Sequence, residues 1–330
     1  MTTSESTIKA HPVARPATPS PGRGRKWLWG KRILMAGFFI VVFFLLLTIF
    51  KKIDWVEVKS ALQAYKLSTL SIAFLVATSS FLVLCCYDLL ARKYTRHTLP
   101  ARQILPLAFV CSVFNLNLSW VGGFSSRYRL YSRLGLNTAT ITRIISFNLV
   151  TNWLGYFIVA GTIFSLGFLD LPDNWKIGET LLQIIGFMLL LGALGYFLAC
   201  CFAKRRSFKI YKQQVTLPTV EIALTQAGLA ITNWCLMALI IFVLFLGKVP
   251  YPTILGVLLI SSIAGIITHI PGGLGVIETV FLAMLDQRVA NGSILAALIG
   301  YRFIYFLIPL AIAFVVYLVL ESRAKNMSHA

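Results

Sequence analysis

The amino-acid sequence predicts an all-α polytopic membrane protein with six full spans and two re-entrant broken hairpins, an arrangement typical of inverted-repeat transporters. Its composition is 58% hydrophobic and only 12% charged, with a mean hydropathy of +0.81, which exceeds what soluble domains carry. Its basic residues are distributed unevenly between the loops. Two of its apolar segments are interrupted by glycine and proline, which lipid tolerates only where the chain is buried in protein or lines a watery cavity.

The distribution of charge predicts the topology. The net charge of +19 comes from 30 Lys and Arg residues against 11 Asp and Glu residues. Of the 30, 22 fall in segments predicted on one side and 7 in the opposite loops, with Arg302 inside a span. Because basic residues accumulate on the cytoplasmic side, both termini are predicted to be cytoplasmic. Topology accounts for most of this charge, so we expect no nucleic-acid partner.

The full spans follow from the length of the apolar runs. Residues 1–32 are rich in Pro, Ser, Thr and Arg and are predicted to form a disordered basic cytoplasmic tail. The apolar run 33–50 is about 27 Å long as a helix, which is enough to cross a membrane as a retained anchor. A single transmembrane domain over 33–320 is followed by a cytoplasmic tail, 321–330. The remaining full spans are predicted at 68–90, 144–169, 181–203, 220–246 and 294–320.

The first interrupted segment, 103–121, is apolar but ends in Gly122 and Gly123. Arginines follow it at positions 127, 129, 133 and 143. A complete crossing would leave three of them outside, and the chain would have to return before Arg143 through a segment too polar to span. We therefore predict that 103–142 enters from the cytoplasm, dips into the membrane and comes back on the same side.

The second interrupted segment contains the residues H-I-P-G-G-L-G-V-I-E at 269–278. Pro271 lacks a backbone donor, and Gly272, Gly273 and Gly275 permit backbone angles that a helix does not use. Residues 246 and 294 are both predicted outside, so 251–288 must also begin and end outside. Two interrupted segments at matching positions and in opposite orientation are typical of inverted-repeat transporters.

Several polar groups within these segments are candidates for a site. Glu278 and Arg302 would each cost roughly 2.5–3.5 kcal/mol alone in the bilayer, so a mutual pair is expected, either functional or purely structural. The first hairpin's arginines and glycines could receive a lipid phosphate, or could simply be cytoplasmic charge at anionic headgroups. Asn148, Asn152 and Asn233 are expected to form helix–helix hydrogen bonds. The predicted substrate-binding residues are Arg127, Arg129, Arg133, Arg143, Gly122, Gly123, Pro271, Gly272, Gly273, Gly275, Glu278 and Arg302.

The sequence offers little for catalysis or metal binding. All six cysteines fall in apolar stretches, as small membrane-helix residues do. The sequence contains neither an H-E-x-x-H motif nor a paired C-x-x-C motif, so no metal or cofactor is predicted. There is no P-loop and no nucleophile–base pair at a readable spacing, which argues against an ATPase and against an enzyme.

Four motifs resemble a known family: P-G-G-L-G-V-I-E at 271–278, Y-D-L-L-A-R at 87–92, W-V-G-G-F-S-S-R-Y-R-L-Y-S-R-L-G at 120–135 and T-N-W-L-G-Y at 151–156. Over nearly all of residues 25–325 the chain resembles the transmembrane flippase domain of lysylphosphatidylglycerol synthases. The resemblance implies a bacterial inner-membrane location and a lipid flippase fold with re-entrant helices. It does not imply lipid aminoacylation, because the synthase half is absent.

The leading hypothesis is a transporter that moves an anionic phospholipid or a related amphiphile between membrane leaflets. One alternative is an intramembrane enzyme acting on a lipid headgroup, with Glu278 or Asp88 as base. Another is a non-transporting partner or regulator of lipid synthesis. The oligomeric state is not readable from the sequence.

Overall fold

The computed structural model describes residues 55–169, 178–203, 207–210, 213–268, 270–286 and 288–328, which belong to one compact unit. The predicted tail 1–32 and the predicted span 33–50 lie outside the described residues. The described chain is helical except for one short antiparallel strand pair. Its elements are α1 (Trp55–Gln63), α2 (Leu67–Thr95), α3 (Ala101–Arg133), α4 (Thr138–Ser165), α5 (Glu179–Phe202), β1 (Ser207–Ile210), β2 (Gln213–Thr216), α6 (Val220–Leu244), α7 (Tyr251–Thr268), a 3-10 turn (Pro271–Gly273), α8 (Val276–Leu285), α9 (Asn291–Arg302), a π-helical turn (Phe303–Leu307) and α10 (Ile308–Ser328).

Six helical stretches in this part of the chain are long and apolar enough to cross a membrane. The helical membrane fold is therefore confirmed, and the number equals the predicted number of full spans, but the membership differs. Residues 33–50 are not described. Helix α7, which was predicted as one arm of a hairpin, is instead one of the six stretches long and apolar enough to cross a membrane. The six stretches are Leu67–Thr95, Thr138–Ser165, Glu179–Phe202, Val220–Leu244, Tyr251–Thr268 and Asn291–Leu320.

The two ends of the bundle are defined by contacts between α2 and α6. Lys93, near the end of α2, lies 2.7 Å from the carboxylate of Glu221 at the start of α6. Tyr65, just before α2, donates a hydrogen bond of 2.7 Å to the carbonyl of Leu244 at the end of α6. The two helices are thus antiparallel. We call the end that carries Lys93 the basic end, and the other the opposite end.

Helix α3 folds back on itself although it is helical from Ala101 to Arg133. Its first arm reaches α2 at Cys85, whose sulfur lies 3.7 Å from the carbonyl oxygen of Leu105. Its second arm reaches α2 one turn later, where Arg127 lies 2.7 Å from Asp88. In a straight helix, residues 105 and 127 would be about 33 Å apart. The chain must therefore reverse between them, and both ends of α3 lie at the basic end.

Gly123 locates this reversal. A Cβ atom added to Gly123 would lie 2.4 Å from the Cβ of Asn115, so the two arms touch where only a glycine fits. The reversal thus lies between residues 115 and 123. The predicted interruption at Gly122 and Gly123 lies at the end of this reversal, within the helical range Ala101–Arg133. Gly123 allows the two arms to approach each other.

Helices α7 and α8 form the second hairpin, and the predicted break separates them. Gly272, Gly273 and Gly275 have φ angles of 62°, 57° and 80°, which favour glycine strongly. The loop before α7 contacts the start of α9, where Lys248 donates to the hydroxyl of Ser293 over 3.3 Å. Both ends of this hairpin therefore lie at the opposite end of the bundle.

The last helix is longer than predicted. The span was predicted to end at residue 320, and α10 continues to Ser328, into the segment that was predicted as a tail. No glycine or proline follows Pro309 in this helix, so nothing in its sequence interrupts the helical hydrogen bonds. The π-helical turn Phe303–Leu307 connects α9 to α10 and places Arg302 directly before a widened turn.

Candidate functional site

The tips of the two hairpins meet inside the bundle. A Cβ atom added to Gly272 would lie 3.9 Å from the carbonyl oxygen of Leu116 and 3.9 Å from the guanidinium of Arg302. A cavity of about 300 Å³ lies beside this contact. Residues from both hairpins line it, together with residues from α2, α4, α6, α9 and the π-helical turn. The cavity is therefore lined by both of the hairpins that the sequence predicts.

The wall of the cavity is unusually polar for the interior of an apolar bundle. Its polar lining side chains are Ser112, Asn115, Asn148, Asn152, Asn233, Ser261, Ser262, Arg127, Tyr87, Tyr301 and Tyr305. Several buried atoms in this set have no hydrogen-bond partner among the described residues: the hydroxyls of Tyr87 and Tyr301, Oδ1 of Asn115, both amide atoms of Asn148 and Nε of Arg127. Such groups are costly to bury unless something pairs with them. The wall is thus equipped to bind a polar guest.

Arg127 belongs to this wall and is paired with a carboxylate. One guanidinium nitrogen donates to Asp88 over 2.7 Å, and Tyr131 donates to the other carboxylate oxygen over 3.0 Å. Arg127 is only 6% exposed and Asp88 is fully buried. The partner of Asp88 is thus Arg127 on another helix and not Arg92, which lies one turn later on α2. A carboxylate buried in an apolar span is itself a signal of function or pairing.

The predicted pair of Glu278 and Arg302 is present. Nε of Arg302 lies 2.5 Å from one oxygen of Glu278, and a second nitrogen donates to the other oxygen over 3.0 Å. Arg302 also donates to the carbonyls of Gly272 and Gly273, each over 2.8 Å. The backbone N–H of Gly275 donates to Glu278 over 2.9 Å. The pair therefore satisfies backbone groups that the break removes from helical bonding.

Only some of the other predicted site residues line the cavity. Gly272 and Gly273 line the cavity, whereas Glu278 and Arg302 do not. Arg129 was expected to reach the cavity, but it is exposed and its guanidinium lies 5.9 Å from the ring of Tyr317. Positions two apart on a helix point about 200° apart, so Arg127 and Arg129 cannot share a face. Four further predicted residues are absent from the wall: Gly123, which joins the arms of α3; Gly275, which precedes α8; Arg133, which is exposed; and Arg143, which is half-buried.

Comparison with known proteins places this architecture in a family. Residues 34–313 match the family model described as the lysylphosphatidylglycerol synthase TM region. The "Inner membrane protein YbhN" of Escherichia coli K12 is 47% identical over 304 residues, which cover 92% of this chain and 96% of that relative. The "Uncharacterized protein slr0712" of Synechocystis is 32% identical over 263 residues, or 78% of this chain and 81% of that protein.

A more distant match shows how the same region occurs in a larger protein. The phosphatidylglycerol lysyltransferase of Staphylococcus xylosus is 22% identical over 297 residues, which cover 86% of this chain but only 33% of the lysyltransferase. The motifs around the second break and the reversal of α3 pointed to this relationship from the sequence. The chain belongs to the family defined by the transmembrane region of lysylphosphatidylglycerol synthases.

Proposed function

We propose that this protein is a multi-pass bacterial inner-membrane transporter that moves an anionic phospholipid or a related amphiphile between leaflets. The family supports the proposal, since its larger members include phosphatidylglycerol lysyltransferases. The printed name of the Escherichia coli relative supports the inner-membrane location. The excess of basic residues predicts that the basic end and both termini face the cytoplasm.

We further propose that α3 and the α7–α8 pair are re-entrant hairpins of an inverted repeat. Three observations support this topology. Both ends of α3 contact the basic end, the α7–α8 pair begins and finishes at the opposite end, and the two tips meet. Each hairpin also carries one ion pair on its second arm, buried at Arg127 in the first and partly buried at Glu278 in the second.

The observation that carries the proposal is the polar cavity at the junction of the two tips. A transported lipid must bring its headgroup through the apolar layer, which requires polar partners inside the protein. Unpartnered polar atoms of Asn115, Asn148, Tyr87 and Tyr301 supply such partners. In broken-helix transporters the substrate binds near the midplane between the interrupted helices, and the cavity lies beside the contact between the two hairpin tips.

We propose transport rather than catalysis because both candidate bases are occupied. Asp88 accepts hydrogen bonds from Arg127 and Tyr131, and Glu278 accepts from Arg302 and Gly275. Each carboxylate is thus already engaged by an arginine, and neither Asp88 nor Glu278 lines the cavity. An intramembrane lipid-modifying enzyme remains the alternative that product analysis of the same vesicles would detect.

The test uses purified protein in liposomes that contain acyl-labelled phospholipid, with the outer label quenched by dithionite. We expect wild-type protein to expose inner-leaflet lipid that empty liposomes retain. Gly272→Val should abolish this movement, because Gly272 has a φ of 62° at the cavity wall. Gly195→Val is the matched control, since Gly195 lies in α5 with no atom near its added Cβ. Wild-type vesicles that behave like empty ones would favour a regulator of lipid synthesis.

The proposed topology has its own test. The six native cysteines are first replaced by serine. Single cysteines are then introduced by Arg133→Cys at the basic end and by Lys248→Cys at the opposite end. In intact cells, a membrane-impermeant thiol reagent should label position 248 and should reach position 133 only after the membrane is permeabilised. Labelling of position 133 in intact cells would refute a hairpin that enters from the cytoplasm.

A further inference from the structure

The unpartnered atoms of the cavity wall are a mixture of donors and acceptors. Oδ1 of Asn115 and Oδ1 of Asn148 accept only, whereas Nδ2 of Asn148 and Nε of Arg127 donate only. The hydroxyls of Tyr87 and Tyr301 can do either. All five residues line the same cavity, although the unpartnered atoms themselves are buried beneath its surface. A guest that gains hydrogen bonds from these atoms must therefore both donate and accept.

The wall has no net charge. In the described part of the chain, Arg127 is the only charged side chain that lines the cavity, and Asp88 compensates it at a distance of 2.7 Å. A phosphate, which only accepts, would leave the oxygens of Asn115 and Asn148 facing negative charge without a donor. An ammonium group, which only donates, would face the guanidinium of Arg127 and leave its Nε without an acceptor. Neither a phosphate nor an ammonium group therefore matches the hydrogen-bonding groups of the wall.

The size and the aromatic part of the wall restrict the guest further. A volume of about 300 Å³ is at the small end of ligand sites and suits a headgroup but not acyl chains. The rings of Trp153, Trp234 and Phe306 line the same cavity. Their flat apolar faces can pack against the C–H groups of a small polyol while the amides and hydroxyls bind its oxygens.

We infer that the lipid headgroup moiety which enters this cavity is uncharged and rich in hydroxyl groups. The inference rests on the proposed transport function and refines its substrate class. A glycerol headgroup on a phospholipid and a sugar headgroup on a phosphate-free glycolipid carry the same chemistry. In the first case the phosphate would remain outside the cavity, nearer the arginines of the basic end.

The experiment compares four lipids that share one labelled acyl chain: phosphatidylglycerol, glucosyl diacylglycerol, phosphatidylethanolamine and phosphatidic acid. We expect the two hydroxyl-rich lipids to move about tenfold faster than the other two, the size of one well-made hydrogen bond. If only phosphatidylglycerol is preferred, the glycerol source is identified. If only the glycolipid is preferred, the sugar source is identified. Equal rates for all four lipids would overturn the inference and leave the transport function standing.

Variants test whether the cavity causes the preference. Asn148→Leu should reduce the preference to within about twofold, whereas Asn117→Leu should retain it. Asn117 is a matched control because it lies on the same hairpin as Asn115, donates to its own helix at Val113 and does not line the cavity. A preference that survives Asn148→Leu would overturn the inference.

A second variant separates binding from folding. Tyr301→Phe removes only a buried hydroxyl that has no partner, so its melting temperature should not fall while its preference for hydroxyl-rich lipids does. Native mass spectrometry of the same preparations measures which lipid binds. Selective binding without movement would support the inference and contradict the transport function. The absence of selectivity in both measurements would overturn the inference.

Discussion

Replacing Arg302 with methionine is the sharpest test of how the second break is held. The guanidinium makes four hydrogen bonds, two to Glu278 and one each to the carbonyls of Gly272 and Gly273. The methionine keeps much of the aliphatic volume but none of these bonds. We expect Arg302→Met to destabilise the fold more than Glu278→Leu does.

The magnitude follows from what each substitution leaves unpaired. Breaking a buried ion pair costs about 3 kcal/mol at the lower end of the usual range, which suits side chains that are 15% and 16% exposed. Each carbonyl that loses its donor costs about 1 kcal/mol more. Glu278→Leu also leaves the backbone N–H of Gly275 without its acceptor. Arg302→Met should therefore cost about 5 kcal/mol and Glu278→Leu about 4 kcal/mol. The double variant leaves the two carbonyls and this N–H unpaired and should cost about 3 kcal/mol.

The assay is reversible unfolding of the four proteins in mixed micelles, followed by near-UV circular dichroism. The double variant should be more stable than Arg302→Met alone. If the two single losses simply add, to within about 0.5 kcal/mol, the ion pair contributes nothing and the reasoning is refuted. If the two losses are not additive, as expected, but lipid movement is unchanged in all three variants, the ion pair has a structural role only.

Three further predictions concern the hairpins. Gly272→Val should destabilise the protein by about 1–3 kcal/mol because the positive φ disfavours a branched residue, and thermal unfolding of the purified protein measures this. Gly123→Ala should lower the melting temperature because its Cβ overlaps the facing arm, whereas Gly195→Ala, with open space around it, should not; equal melting temperatures would contradict the reversal of α3. Asp88→Leu should cost about 3–5 kcal/mol because it strands Arg127, and adding Arg127→Leu should recover part of that loss in the same measurement.

The second break could be predicted from sequence because its cause is local. Proline and three glycines within five residues change the backbone angles wherever they occur. The partnership of Glu278 and Arg302 was predictable for a related reason, since a charge in an apolar span requires a partner and few were present. Both features depend on residue type alone.

The cavity wall was not predictable in the same way. Asp88 has an arginine four residues later, which hides its true partner 39 residues away. Asn148 was expected to bond to a neighbouring helix, as Asn233 does with Ser80, yet both of its amide atoms are unpartnered. Whether a polar side chain meets another helix or a void depends on how hairpins pack, which residue types do not encode. The position of the reversal within α3 was uncertain for the same reason.

The hydrogen bonds of Arg302 couple the movement of the second break to that of α9. Because one side chain of α9 binds the carbonyls of Gly272 and Gly273 as well as Glu278, the tip of the second hairpin is fastened to α9. Any rearrangement of that tip must either carry α9 with it or first break four hydrogen bonds. The fastened tip also touches Leu116 of the first hairpin. A displacement of α9 would therefore also move the contact between the tips of the two hairpins.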